Sequence, residues 1–259
     1  MAAVAENLVR LAIDEGIATI TLDSPANRNA LSARLVEELH GCLTRASDSS
    51  VRAVVLTHTG PTFCAGADLK EAADGGMQRG TEALLELLRR IVEFPVPVIA
   101  HLKGNARAGG IGLIGAADIA VAPAGATFSF SEVRLGLSPA IISLTVLPRI
   151  DERAAGRYFV TGETFDGETA ARMGLLTCAE PDADAVDKTV TGLVDALRLC
   201  SPQGLVASKK LATARTRESL SRQGAAMVKL SAELFASEEA AEGMLSFRER
   251  RVPRWVASS

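Results

Sequence analysis

The sequence predicts an α/β fold with a mostly parallel sheet, followed by a helical C-terminal third. Up to Ala122, short apolar runs typical of buried strands alternate with segments whose apolar residues recur every three or four positions. A repeated order of strand, helix and strand favours right-handed crossovers and parallel strand pairing. From Asp151 onward the strand signal fades. We therefore expect an α/β core over residues 1–195 and a helical region over residues 196–259.

The chain is expected to begin with a hairpin. Val9–Ile13 and Ile17–Leu22 have strand patterns and are joined by the turn Asp14-Glu15-Gly16. Ser32 is the expected N-cap of a helix whose leucines recur every fourth residue. The apolar run Ala53–Thr57 is then typical of a buried strand.

The later elements follow the same alternation. A leucine-rich helix around Leu87 precedes a strand over Phe94–Leu102, which is entered through two prolines. A Gly-rich turn leads into a short helix ending near Ala117 and a strand over Ile119–Ala122. The sequence predicts C-terminal helices over Glu152–Val160, Gly167–Met173, Ala183–Leu199, Pro202–Ala214 and Glu218–Ser237.

Composition excludes several classes of protein. The chain has 259 residues, a net charge of −3 and 47% hydrophobic residues, which indicates a globular protein without general attraction to nucleic acid or anionic membranes. Its 4 cysteines are widely spaced, so we expect reduced thiols and no metal site. The first ten residues do not resemble a signal peptide, and the longest uncharged apolar stretch is too short to cross a bilayer. A cytoplasmic location is the expectation.

One nucleotide-binding motif is present but lies in the wrong context. Gly110 to Gly115 matches G-x-G-x-x-G, and Glu132 lies twenty residues beyond Gly112. The preceding strand is expected to end near Leu102, which is too early for the tight turn that a dinucleotide site needs. Close backbone packing explains these glycines better.

Two Gly-rich turns each follow an expected strand. Thr62–Lys70 follows the first and Lys103–Gly110 the second, and small residues in both allow a backbone amide to face a ligand. Two such amides could hold one carbonyl oxygen, which is what an oxyanion hole requires. Plain Gly-rich connections are the alternative.

Three separated motifs resemble the enoyl-CoA hydratase/isomerase (crotonase) family. They are Arg28–Leu31, Phe63–Leu69, and Ala108-Gly109-Gly110 with Ala117-Asp118-Ile119 beyond it. Their order and spacing match the family, and the similarity runs over almost the whole chain. The resemblance implies a crotonase-like spiral of repeated ββα/βαβ units with a helical C-terminal region that forms trimers, or dimers of trimers.

The resemblance also implies an acyl-CoA thioester as the partner, with coenzyme A belonging to the substrate and no separate cofactor. The thioester oxygen would lie between the amides of Ala67 and Gly109, with Arg28 near the CoA phosphates and Phe247 to Arg250 over the adenine end. It assigns substrate binding to Arg28, Ala30, Ala65, Ala67, Asp68, Leu69, Lys70, Gly109, Phe247 and Arg250.

The type of reaction depends on two positions. Hydratases of the family that use two carboxylates have one Glu where this chain has Gly112, and a second where it has Glu132. Alternation places Glu132 on one face with Phe128 and Phe130, where burial would raise its pKa toward neutrality. We expect a 2-enoyl-CoA hydratase of fatty-acid or related catabolism in which Glu132 acts alone. A 3-enoyl-CoA to 2-enoyl-CoA isomerase is the alternative, and an acyl-CoA-binding protein without catalysis is the third reading.

Several other residues favour a structural role. Cys64 lies beside the first turn, but no histidine is placed by local sequence to activate it, so a buried thiol is expected. Asp68 and Asp118 suit helix-cap or structural roles better than catalysis, and His101 suits a packed position. The apolar segment Leu137–Leu144 is expected to form either a wall for an acyl chain or a plain core helix.

Overall fold

The larger of two sheets carries the predicted hairpin and parallel core. In the computed structural model, which describes residues 7–48, 50–68, 71 and 77–256, this sheet has six strands. Only the hairpin of its first two strands is antiparallel; the remaining pairs are parallel. In spatial order the strands are β1 (Val9–Asp14), β2 (Ile17–Leu22), β3 (Ala53–His58), β5 (Val98–His101), β7 (Ile119–Pro123) and β10 (Cys178–Glu180). β5 begins only after Pro97, because a proline cannot donate to the ladder.

A second, four-stranded sheet is not predicted by the sequence patterns. Its strands are two or three residues long, too short to show an alternation. In spatial order they are β4 (Thr62–Cys64), β6 (Asn105–Arg107), β8 (Thr127–Ser129) and β9 (Phe165–Asp166). β4, β6 and β8 run parallel, and β9 joins β8 in the antiparallel sense.

The two sheets are linked by a repeated unit. β4, β6 and β8 each begin four residues after a strand of the larger sheet ends, at β3, β5 and β7 respectively. The chain therefore moves from the larger to the smaller sheet three times in the same way. This repetition produces a spiral of similar units.

The helices largely agree with the sequence prediction. Ser32 caps the first helix as expected, since its Oγ accepts a hydrogen bond from the Leu35 amide at 3.2 Å. The predicted C-terminal helices are confirmed with ends shifted by a few residues. The α-helices whose bounds fall within the described residues are α1 (Ala33–Arg45), α2 (Met77–Val92), α3 (Gly109–Ala116), α4 (Ala140–Val146), α5 (Glu152–Thr161), α6 (Gly167–Arg172), α7 (Ala183–Arg198), α8 (Pro202–Ala212), α9 (Ala214–Phe235) and α10 (Glu238–Glu249).

The main core lies on one face of the larger sheet, where α1 to α4 bury their apolar residues. The other face is covered by α7 through Val186, Val190 and Val194. α9 packs against α2 and α4, so the C-terminal helices rest on the α/β body. The division after residue 195 falls inside the last turn of α7 and stays a prediction.

Among the helices that the structure describes, none combines the length and the apolar character that a membrane span requires.

Candidate active site

Three turns meet at one edge of the smaller sheet. β4, β6 and β8 are neighbours and run parallel, with Cys64 beside Ala106 and Ala106 beside Phe128. Because carboxyl ends of parallel strands share one edge of a sheet, the turns that follow these strands lie together. These are the two predicted Gly-rich turns and the segment that leads to Glu132.

The two Gly-rich turns are in direct contact. Gly66 has φ +90°, and a Cβ at this position would lie 2.8 Å from Ala108 Cβ and 3.3 Å from the Gly109 nitrogen. Only glycine fits such a backbone at such a distance. The contact therefore brings the turn around Ala67 against the start of α3.

Both predicted oxyanion amides are free within the described part of the chain. Neither the Ala67 N–H nor the Gly109 N–H donates a hydrogen bond to another described group. Gly109 is the first residue of α3, whose first-turn amides have no partner within the helix. Two unpaired donors in touching turns can bind one anionic oxygen.

Ala108 has an unusual backbone that sequence reasoning did not identify. Its φ is +46° and its ψ is −121°, a conformation that costs a non-glycine residue roughly 1–3 kcal/mol. Its amide donates to the Ser129 carbonyl of the neighbouring strand at 3.2 Å, and its own carbonyl accepts from the Ile111 amide. These bonds hold the strained residue in place and so orient the Gly109 amide.

Glu132 lies in a short 3-10 helix and not in a strand. β8 ends at Ser129, and the chain then turns into the Glu132 turn (Ser131–Leu135). The expected alternation with Phe128 and Phe130 is therefore wrong, because the extended pattern stops before it reaches Glu132. Burial of both phenylalanines is nevertheless observed.

One oxygen of the Glu132 carboxyl, Oε2, is shielded from solvent and has no hydrogen-bond partner among the described residues. Desolvation raises the pKa of Glu132 from its ordinary value of 4.5 to about 7, against a smaller opposing effect of its own backbone amide. Such a carboxyl can accept and return a proton near neutral pH.

The position of the missing second carboxylate is closed by apolar side chains. A Cβ on Gly112 would lie 2.6 Å from Ile142 Cγ2 and 3.5 Å from Leu88 Cδ1. Ile142 belongs to α4, which overlaps the apolar segment Leu137–Leu144, and is buried in the main core. α4 is thus a core helix, and its packing against α3 leaves no room for a side chain at Gly112.

The motif that contains Arg28 and Ala30 lies beside the first turn. The Leu31 amide donates to the Gly66 carbonyl at 2.8 Å, and the Ala65 amide donates to the Arg28 carbonyl at 3.1 Å. Ala30 is buried, whereas the Arg28 side chain is exposed on a backbone with φ +58°. The structure therefore brings Arg28, Ala30, Ala65, Ala67 and Asp68 to one place.

Asn29 is the residue that fixes this motif, and sequence reasoning did not single it out. It is fully buried; Oδ1 accepts from the Ser24 amide, and Nδ2 donates to the carbonyls of Thr59 and Thr62. An Asn preceding an Ala-Leu pair gives no sign of this in the sequence, because two of its three partners, Thr59 and Thr62, lie about thirty residues away.

The remaining predicted binding residues fall into two groups. Leu69 and Lys70 lie outside the described residues. Phe247 and Arg250 lie at the C-terminal end of α10, where both are exposed.

The surroundings of Cys64 and Asp118 agree with the structural roles predicted for them. Cys64 is fully buried, and desolvation raises the pKa of its thiol to about 12, so it is not a thiolate at neutral pH. Asp118 Oδ2 accepts from the Val98 amide at 2.7 Å and pairs with Lys209 Nζ at 2.8 Å. His101 is mostly buried and contacts Asp187 at 2.7 Å.

Comparison with known proteins adds independent information. A family model described as Enoyl-CoA hydratase/isomerase matches residues 12–258. Over 252 residues the chain is 36% identical to a probable enoyl-CoA hydratase of Rhodobacter capsulatus, covering 96% of this chain and 97% of that protein. It is 32% identical over 255 residues to a probable enoyl-CoA hydratase of Bacillus subtilis, covering 96% and 98%.

A solved structure is similar over the same extent. The crystal structure of an enoyl-CoA hydratase from Mycobacterium avium superposes with a TM-score of 0.90 at 48% identity, covering 97% of this chain and 100% of that one. The spiral of repeated units and the C-terminal helices are thus shared with a known hydratase structure.

Proposed function

The chain belongs to the enoyl-CoA hydratase/isomerase family, and from this premise we propose that it hydrates a 2-enoyl-CoA thioester with Glu132 as its single acid/base group. One observation carries the proposal. A carboxyl with one solvent-inaccessible, unpartnered oxygen lies at the same edge of the smaller sheet as two amides, and none of these three groups has a hydrogen-bond partner among the described residues. The fold is the crotonase-like α/β spiral with C-terminal helices.

The amides of Ala67 and Gly109 would bind the thioester oxygen. Addition of water to the β-carbon moves electrons onto that oxygen, and an amide aimed at it stabilises the resulting enolate by about 3 kcal/mol for each donor. The two N–H groups have no partner among the described residues, and two hydrogen bonds hold the Ala108 backbone. Both observations support this role, because donors that are already oriented need no reorganisation.

Glu132 would handle both protons. Its carboxylate takes a proton from water as the oxygen bonds to the β-carbon, and the resulting carboxylic acid then gives a proton to the α-carbon of the enolate. Water is added across the double bond, and Glu132 ends as the carboxylate from which it started. A pKa near 7 suits this cycle, since the group must be a base in one step and an acid in the next.

Isomerisation is the alternative, and the closed position at Gly112 favours it. Ile142 and Leu88 fill the space where a second carboxylate would help to hold the attacking water. In an isomerase, Glu132 removes a proton from the α-carbon of a 3-enoyl-CoA and returns one to the γ-carbon, which requires no water. The relatives named as hydratases favour hydration.

A substrate panel distinguishes these reactions. Hydration removes the absorbance of the conjugated thioester from a 2-enoyl-CoA, whereas isomerisation of a 3-enoyl-CoA produces it. The length and the branching of the acyl chain are varied across the panel of thioesters. We expect Glu132→Gln to abolish turnover, while Glu152→Gln, at an exposed carboxyl on α5, retains it.

Two outcomes would contradict the proposal. Full turnover by Glu132→Gln would remove Glu132 from the mechanism. Tight acyl-CoA binding without turnover of any thioester would indicate an acyl-CoA-binding protein that lacks catalysis.

The CoA contacts and the assembly are part of the same proposal. CoA would extend from the two turns along Arg28, Ala30 and the segment through Lys70, with Phe247 and Arg250 over its adenine end. Coenzyme A enters as part of the substrate, and no other cofactor is proposed. We expect a homotrimer or a dimer of trimers in the cytoplasm, so light scattering should give three or six times the mass of one chain.

A further inference from the structure

The Glu132 turn is held from one side by the end of α5. Ser129 Oγ donates to the Gly162 carbonyl at 2.9 Å, directly before the turn. A Cβ on Gly162 would lie 2.8 Å from Val133 Cγ1 and 3.2 Å from the Phe130 carbonyl oxygen. Gly162 therefore lets the end of α5 contact the chain on both sides of Glu132.

On the other side, α10 touches the backbone of the turn itself. A Cβ on Gly243 would overlap the carbonyl group of Leu135 and lie 2.7 Å from its Cα. A Cβ on Gly136, which follows the turn, would lie 2.6 Å from the carbonyl carbon of Glu239 and 2.8 Å from the Ala240 nitrogen. Two glycines, one on each partner, thus allow contact between backbones.

The contact reaches the residue that carries the carboxyl. The Gly136 and Leu137 amides both donate to the Glu132 carbonyl oxygen. The backbone that α10 contacts at Leu135 and Gly136 is thus hydrogen-bonded to Glu132, and a displacement there moves Glu132 with it.

The chain that follows α10 is tied back to the helix next to this contact. Glu242 is buried, and its carboxylate accepts from Arg251 Nη1 at 2.6 Å, from Arg251 Nη2 at 3.0 Å and from the Arg254 amide at 2.8 Å. At its start α10 is capped by Ser237, whose Oγ accepts from the Ala240 amide. The helix is thus stabilised on both sides of Gly243.

We propose that α10 holds the Glu132 turn in its working position and that Gly243 is the positioning residue for Glu132. Gly243 lies in a helix and acts through the backbone of Leu135, without contact to substrate. A helix of the C-terminal region thereby positions Glu132, a catalytic group that belongs to the α/β body. The expected effect on kcat rests on the proposed role of Glu132 in catalysis. The contact between α10 and the Glu132 turn does not depend on that role.

Gly243→Ala tests the proposal. Alanine favours a helix over glycine, so any loss arises from the clash with Leu135 and not from α10 alone. We expect kcat to fall roughly 10- to 100-fold, as for a small displacement of a reacting group, while KM stays within about threefold. Amide exchange over residues 131–137 should accelerate about tenfold or more, with exchange in β3 unchanged.

Two further variants are compared with Gly243→Ala. Gly192→Ala in α7 makes the same change in a helix where nothing lies within 4 Å, and we expect kcat and exchange as in the natural chain. Ser237→Ala weakens the start of α10 without any clash. If Gly243→Ala does not fold, Ser237→Ala should still produce a smaller acceleration over residues 131–137.

The outcomes separate the two proposals. Unchanged exchange over residues 131–137 in both α10 variants, or a normal kcat in folded Gly243→Ala, overturns the positioning role. An inactive natural chain whose exchange still responds to Gly243→Ala overturns the hydratase proposal and leaves the contact between α10 and the Glu132 turn in place.

Discussion

At the scale of single residues, Glu132 combines a benefit for chemistry with a cost for stability. Burial raises its pKa to about 7, so the folded protein binds the proton more tightly than the unfolded chain does. Stability is therefore higher when Glu132 is protonated, and it declines as pH rises from about 4.5 to 7. Above pH 7 the native protein contains a desolvated charge.

We predict that Glu132→Gln is inactive but more stable at pH 8, by about 1–3 kcal/mol. Near pH 3, well below both pKa values, the carboxyl is neutral in the folded and the unfolded state, and the difference should almost disappear. Urea unfolding at both pH values measures this, with Glu152→Gln as the exposed control. A variant that is less stable than the natural chain at pH 8 would contradict the burial of this carboxyl.

Gly112 and Ile142 pack so closely that the effect of a substitution at one position on stability depends on the side chain at the other. A methyl group at Gly112 would meet Ile142 Cγ2, so we predict that Gly112→Ala lowers the free energy of unfolding by about 1–3 kcal/mol. In an Ile142→Ala background, the same change should cost much less, because the colliding methyl group is gone. Urea unfolding of the four proteins in this cycle measures the coupling; strictly additive effects would show that the two residues do not collide.

At the scale of elements, the site depends on the turns that follow the strands of the smaller sheet. The turns after β4 and β6 touch through Gly66, which has both a positive φ and Ala108 against its α-carbon. The touching turns bring the Ala67 and Gly109 segments together, although they are more than forty residues apart in the chain.

We predict that Gly66→Ala lowers kcat about 10²–10³-fold, the usual effect of losing an oxyanion donor. Steady-state kinetics on the best thioester of the panel measures it, with circular dichroism to verify folding. Gly125→Ala is the matched control, since nothing lies within 4 Å of that position, and its kcat should be normal. A kcat for Gly66→Ala within threefold of the natural value would argue against an oxyanion role for this turn.

Prediction of the elements from sequence succeeded where each element contains its own signal. β2 alternates apolar residues with threonine, β3 begins with an apolar run, and α1 has both a cap and a repeated leucine, so local patterns predicted them. β4, β6 and β8 have three residues each. Such strands form only because a neighbouring strand accepts their hydrogen bonds, and that pairing is not encoded locally.

At the scale of the whole molecule, a buried ion pair ties the C-terminal helices to the core. Lys209 of α8 donates from Nζ to the carbonyls of Ile91 and Val96 and pairs with Asp118. Desolvation lowers the pKa of Lys209, an effect that the Asp118 carboxylate opposes. Without Lys209, the Asp118 carboxylate, whose side chain is only 13% exposed, would lose its ion-pair partner.

We predict that Lys209→Met destabilises the fold by about 3–5 kcal/mol, the usual cost of removing one partner from a buried pair. Lys210→Met changes the adjacent, exposed lysine and should alter stability by less than about 0.5 kcal/mol. Urea unfolding followed by fluorescence of Trp255 and by circular dichroism measures both. Equal stability of the two variants would contradict a role for Lys209 in joining the helical region to the body.

The sequence by itself determined the fold class, the family resemblance and the identity of the candidate groups Ala67, Gly109 and Glu132. The fold class follows from local periodicity, and the candidate groups follow from the family resemblance that motifs contiguous in the chain carry. Only the tertiary structure decided that the smaller sheet brings the three turns to one edge, that Ile142 closes the position at Gly112, and that α10 rests on the Glu132 turn. Each of these is a contact between residues far apart in sequence, and whether two backbones touch depends on how whole elements pack.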